Sequence, residues 1–77
     1  MDKESFDAIV QQLQPNMGDV GSRQALVQSA LFGSPVLMQI EWGGPAYEFT
    51  VQLVNRLYQY DVDALITVLR ELRKQVG

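Results

Sequence analysis

The residues with the most evident chemical potential in this chain are two aspartates, three serines and one glycine-rich turn: Asp61 and Asp63, Ser22, Ser29 and Ser34, and Gly43-Gly44-Pro45. Paired carboxylates do acid–base work when they oppose each other across a substrate with their pKa values pushed apart. Asp61 and Asp63 stand two apart at the start of a helical pattern, and residues two apart on a helix do not face each other. Capping that helix is the favoured role. A serine nucleophile needs a base, yet the chain has no histidine and no lysine placed to substitute. Ser22 and Ser34 therefore read as helix caps. The lack of histidine also removes the commonest metal ligand. With cysteine absent as well, the usual zinc site, a disulfide framework and thiolate chemistry are all excluded. The Gly-Gly-Pro turn leads into a helix and could cradle a phosphate. It lacks the spacing and the Lys-Ser/Thr of a Walker loop, and Glu41 and Glu48 flank it. A tight turn is the better reading, so no catalytic residue, cofactor or metal ion is expected.

The elements that would position these residues are helical. Phe6, Ile9, Val10 and Leu13 recur at i, i+3, i+4 and i+7, predicting a helix over 4–14 opened by Glu4 or Ser5 and stopped by Pro15. Met17 to Gly21 reads as a connector, in which Asp19 could cap a single turn. Ser22 then caps a helix over 23–31 with Leu26, Val27 and Ala30 inward. Gly33 suits the left-handed position that ends many helices. Ser34 followed by Pro35 starts a third helix over 35–40, although Val-Leu-Met-Gln-Ile is compatible with extended structure too. Pro45 stands at the first position of a fourth helix over 45–58, in which Ala46, Phe49, Leu53, Val54 and Leu57 face a core. Its other face, Tyr47, Val51 and Tyr58, is less polar than a free surface, so this helix is expected to pack on more than one side. Asp61 caps the last helix, 62–76, whose stripe is Val62, Leu65, Ile66, Leu69, Leu72 and Val76. Five helices with short connections and no clear strand pattern predict a compact all-α bundle.

The 77 residues suffice for a single domain, taken here as 1–77, and 47% apolar residues make a dense small core feasible. The net charge of −3 argues against nucleic acid as a partner. It is unevenly placed: residues 1–63 carry −5 and residues 64–77 carry +2. No apolar run approaches the roughly 18 residues of a membrane span, and the acidic, polar start is unlike a signal peptide. Neither a membrane nor a nucleic acid is expected as a partner, and a cytoplasmic location fits. The charged groups available for contacts are Glu41, Glu48, Asp61, Asp63 and Arg56, with Arg70, Arg73 and Lys74 at the other extreme. Such a division can pair one copy with another head to tail. Trp42 is either an exposed anchor for a partner or the plug of a small core, with core favoured. A pocket beside it, on a small ligand-binding regulatory domain, is the alternative function.

The order Arg-x-Ala-Leu-Val-x-x-Ala-Leu-Phe-Gly-Ser-Pro-Val-Leu, then Ile-Glu-Trp-Gly-Gly-Pro-Ala-x-x-Phe, then Val-x-Leu-Val-x-x-Leu resembles the bacterial effector-associated domains, in particular their type 1 group. The final Leu-x-x-Leu-Arg-Glu-Leu-Arg-Lys-Gln-Val fits the same pattern, so the resemblance spans about Phe6 to Val76. It implies a death-fold-like bundle of five to six short helices. It also implies a non-catalytic adaptor. Matching effector-associated or death-like domains in other proteins would be its partners, with weak homo-oligomers formed by the same contacts. The recruited effectors would be proteases or signalling ATPases in bacterial immunity or programmed cell death. Trp42, Gly44, Pro45 and Phe49 carry over from the resemblance as structural residues only.

Overall fold

The computed structural model describes residues 1–76; Gly77 and the side chain of Val76, the last member of the expected stripe, lie outside the described residues. Four α-helices, α1 (Lys3–Leu13), α2 (Val20–Ala30), α3 (Ala46–Tyr60) and α4 (Val62–Val76), are joined with two short 3-10 helices, Gln14–Asn16 and Pro35–Gln39. Among the described residues there is no strand. The third predicted helix is therefore a five-residue 3-10 turn, and the count of four α-helices replaces the five to six expected. Pro35 and Ser34 do start it as predicted, with the Ser34 hydroxyl accepting from the Val36 amide.

The helix starts show why two of the predicted boundaries shift. Asp2, not Ser5 or Glu4, caps α1 by accepting from the Ser5 amide at 3.0 Å. Asp19, not Ser22, caps α2: its carboxylate accepts the Ser22 amide at 3.1 Å and the Ser22 hydroxyl at 2.7 Å. The helix consequently begins three residues earlier than predicted. Gly21 does not break it, because Gly21 lies in the first turn, and a Cβ there would sit 3.1 Å from the capping carboxylate. Pro45 is the cap of α3 rather than its first residue. Asp61 accepts from the Asp63 amide at 2.9 Å, the capping role expected of it. Gly33 and Gly44 hold φ of +80° and +94°, a left-handed backbone that favours glycine.

Helix α3 is the central element, packing on α1 and on α4, while α2 packs on α4. Its inward face is Phe49, Leu53, Val54 and Leu57 as predicted, with Thr50 beside them. The Thr50 hydroxyl donates to the Ala46 carbonyl and so stays satisfied in the core. On α4 the buried face is Ala64, Leu65, Val68 and Leu72. Val62 and Ile66, assigned to that stripe from the sequence, are exposed. The stripe is thus rotated toward Val68, which follows from packing between two helices rather than against one. Met17, on the connector, is fully buried and closes the core beside α1 and α2.

Candidate functional site

The charged residues expected to make contacts all lie at the surface: Glu41, Glu48, Asp61, Asp63, Arg56, Arg70, Arg73 and Lys74 are exposed. The fold draws them into separate groups. Asp61 and Asp63 open α4, while Arg70, Arg73 and Lys74 share one face of its second half at i, i+3 and i+4. A 15-residue helix is about 22 Å long, so α4 carries acid at one end and base at the other over that span. Lys74 approaches Glu71 at 4.0 Å, a contact that contributes little at the surface. Glu41 and Arg56 come together from different elements, both lining one small cavity with Ile40, Phe49, Gln52 and Leu53.

That cavity is about 20 Å3. It has room for about one water molecule, far below the roughly 300–1,000 Å3 of a ligand pocket. Trp42, beside which the sequence alternative placed a ligand pocket, does not line this cavity. Trp42 itself is half-buried and stacks on Phe49, with ring centroids 6.1 Å apart and planes inclined by 28°. It belongs to the edge of the core. Gly44 and Pro45 are exposed; one supplies the left-handed turn and the other the cap that starts α3.

Arg23 is the residue that sequence reasoning missed. The residue is 3% exposed. Nε donates to the Met17 carbonyl at 2.8 Å and Nη1 to the Trp42 carbonyl at 2.7 Å. Its Cζ lies 4.5 Å from the centre of the Phe49 ring, a cation–π contact. No carboxylate within ion-pair distance balances it among the described residues. One side chain thus ties the Met17 connector, α2, the strap over 40–45 and α3 together. A signal existed: Arg23, Leu26, Val27 and Ala30 fall at i, i+3, i+4 and i+7 on one face, so the cation begins an otherwise apolar stripe.

Titration effects are confined to the surface. Hydrogen bonds from Ser5 and Ser22 hold the Asp2 and Asp19 carboxyls below their ordinary 3.8. The Asp7 carboxylate, 2.7 Å from Lys3 Nζ, raises the lysine. The two shifted carboxylates, Asp2 and Asp19, each cap a separate helix and are not the opposed pair that acid–base catalysis uses. Among the described residues, no helix is long and apolar enough to cross a membrane.

The apolar surface is more distinctive than the charged one. Phe32 is 91% exposed and Met38 90% exposed, both on the connection between α2 and α3. No charged residue occurs from Gln24 to Ile40. On another face, Met1, Lys3, Phe6, Val51, Asn55 and Tyr58 line an open groove of about 490 Å3 between α1 and α3.

Neither the curated proteins nor the solved structures yield a match to this chain. The model of effector-associated domain 8 matches residues 2–77. That supports the effector-associated resemblance across nearly the whole chain. On the strength of that match, the chain belongs to the effector-associated domain 8 family.

Proposed function

We propose that this domain is a non-catalytic adaptor. It binds a matching effector-associated or death-like domain on another protein and so brings an effector, such as a protease or a signalling ATPase, to its sensor. The setting is cytoplasmic signalling in bacterial immunity or programmed cell death. The observation that carries this reading is the family match over residues 2–77. Two features of the molecule agree with it. Its charges are sorted along α4 into acid and base, which suits head-to-tail pairing. The cavity shared by Glu41 and Arg56 is about 20 Å3, room for a single water molecule. A kinship with the death-fold superfamily, and with the type 1 group within it, is part of the same proposal.

The test is a split-reporter or pull-down panel of effector-associated domains, with this chain as bait and itself included as prey. The expected result is saturable binding to at least one matching domain. The reading falls if no such domain binds while a nucleotide or metabolite shifts Trp42 fluorescence saturably at unchanged oligomeric state. That outcome would install the ligand-binding alternative.

A further inference from the structure

We propose that the outward face of α4 pairs with itself: α4 of one copy lies antiparallel against α4 of a second copy across a two-fold axis, with Ile66 at the centre and Asp63 opposite Arg70 on either side. The contact rests on the adaptor reading and gives it a surface. Ala64, Leu65, Val68 and Leu72 are buried against the rest of the bundle. The opposite side of the helix carries Asp63, Ile66, Arg70 and Arg73, all exposed. These fall at i, i+3, i+7 and i+10, the spacing of a seam between two paired helices. Val62 flanks that ridge and is exposed as well, so one surface face holds two large aliphatic side chains alongside its charges.

The charges of this face are unanswered within the chain. Asp63, Arg70 and Arg73 form no ion pair among the described residues; the bridges present are Lys3–Asp7 and Lys74–Glu71. No acid stands three or four residues from Arg70 or Arg73, and no base from Asp63. Arg70 instead has Arg73 and Lys74 at those separations, a like-charge cluster that costs stability. The helix dipole accounts for Asp63 in the first turn and for Arg73 and Lys74 in the last. It does not account for Arg70, which lies before the last turn.

A second α4 answers these charges by geometry. In a two-fold contact, residue i meets j while j meets i. Asp63 with Arg70 and Asp61 with Arg73 share a midpoint to within half a residue, less than about 1 Å along the helix. Ile66 lies within one residue of that point. One antiparallel crossing therefore sets both acids against both bases and places Ile66 beside its own copy. A parallel alignment sets like against like. A head-to-tail stagger of seven residues joins Asp63 to Arg70 once only and puts Ile66 against Arg73. The two-fold contact closes at a dimer. It is weak, because one helix face falls short of the roughly 800 Å2 per partner of a standard interface.

Sedimentation equilibrium at low salt and rising concentration tests this, with circular dichroism to show that each variant is folded. The native chain is expected to pass from monomer to dimer and to grow no further. Asp63→Arg and Arg70→Asp should each weaken the dimer at least about tenfold, because each sets two like-charge pairs across the axis. Asp63→Arg/Arg70→Asp in one chain should restore it, and that chain should not pair with the native one. A second measurement uses the absence of cysteine. Under mild oxidation Ile66→Cys should cross-link to a dimer faster than Gln11→Cys, which is equally exposed on α1. A disulfide needs Cα atoms within about 7 Å, and only a residue beside a two-fold axis meets its own copy so closely. The proposal is overturned if the native chain stays monomeric to about 1 mM, a concentration that reveals even weak contacts. It is also overturned if the exchanged pair does not restore the dimer, or if Ile66→Cys cross-links no faster than Gln11→Cys. A native monomer that still binds another effector-associated domain would overturn this contact and leave the adaptor reading standing.

Discussion

Arg23 shows how one side chain can hold a domain this small together. A buried cation ordinarily needs a paired charge, because desolvation costs several kcal/mol per ion. Here two backbone carbonyls and the face of Phe49 take that role. The guanidinium suits this because its fork of donors is rigid and planar and is more weakly hydrated than an ammonium. Arg23→Met keeps apolar bulk but leaves both carbonyls without a donor, and should lower stability by about 2–4 kcal/mol in urea denaturation. Arg23→Lys should be only a partial rescue, since a single ammonium on a flexible stem cannot reproduce both bonds and the ring contact. Trp42 emission should shift to the red in both variants at temperatures well below Tm, because the strap loses its hold. A neutral-pH melt with an unchanged Trp42 spectrum would contradict this account. The residue was partly legible: its i, i+3, i+4, i+7 register with Leu26, Val27 and Ala30 stood in the sequence. Its partners did not, since main-chain oxygens at positions 17 and 42 carry no sequence signature.

At the scale of elements, the apolar faces of α1 and α3 were readable because period and packing agreed. Phe49, Leu53 and Leu57 repeat every four residues and meet the core. The boundaries were less readable, because several polar residues compete for each cap. Asp19 prevails over Ser22 since Gly21 leaves space for its carboxylate and Ser22 adds a second hydrogen bond to it. Asp2 and Asp19 both have folded pKa values below the ordinary one. A carboxylate of that kind contributes its full stability above the unfolded value and loses it as pH falls through the folded value. Helix-start stabilisation should therefore be intact above about pH 5 and disappear progressively below pH 3.8. Asp19→Asn, still a good cap, should leave the pH 7 urea midpoint nearly unchanged and flatten its decline toward pH 3. Asp19→Ala should already lower the midpoint at pH 7. At the strap, Gly44→Ala meets no neighbouring atom, so its cost is backbone alone. A loss of about 1–2 kcal/mol is expected from forcing an alanine to φ +94°. The short helix expected over 35–40 became a 3-10 turn because only the five residues Pro35–Gln39 are available before the backbone extends at Ile40.

For the whole molecule, the Cα radius of gyration is 11.2 Å, close to the roughly 11.5 Å that scaling gives for this length. The chain is as dense as its size permits, and its surface is where variety remains. Composition and helix count made the all-α class legible. The active surface was not, because exposure depends on how far α4 is turned and on which way a short connection points. Val62 and Ile66 read as core and are exposed, while Val68 was passed over and is fully buried. Charge provides a further test at this scale. If the acid-to-base division of α4 helps hold copies or matching domains together, association should weaken as salt rises from about 0.05 to 0.5 M. Reversing Arg70 and Arg73 to Glu should weaken it at low salt, and mixing that variant with a chain carrying Glu41 and Asp61 reversed to Lys should restore it. Indifference to both salt and reversal would remove charge pairing from the mechanism.

The hold that Arg23 exerts on the strap has one more consequence, for how such a domain diversifies. The guanidinium reads carbonyl oxygens, which every residue type supplies. Exposed Glu41 and Gly43 can therefore be exchanged over generations without disturbing the latch or the bundle behind it. The outward residues beside Trp42 are thereby free to vary on an unchanged chassis.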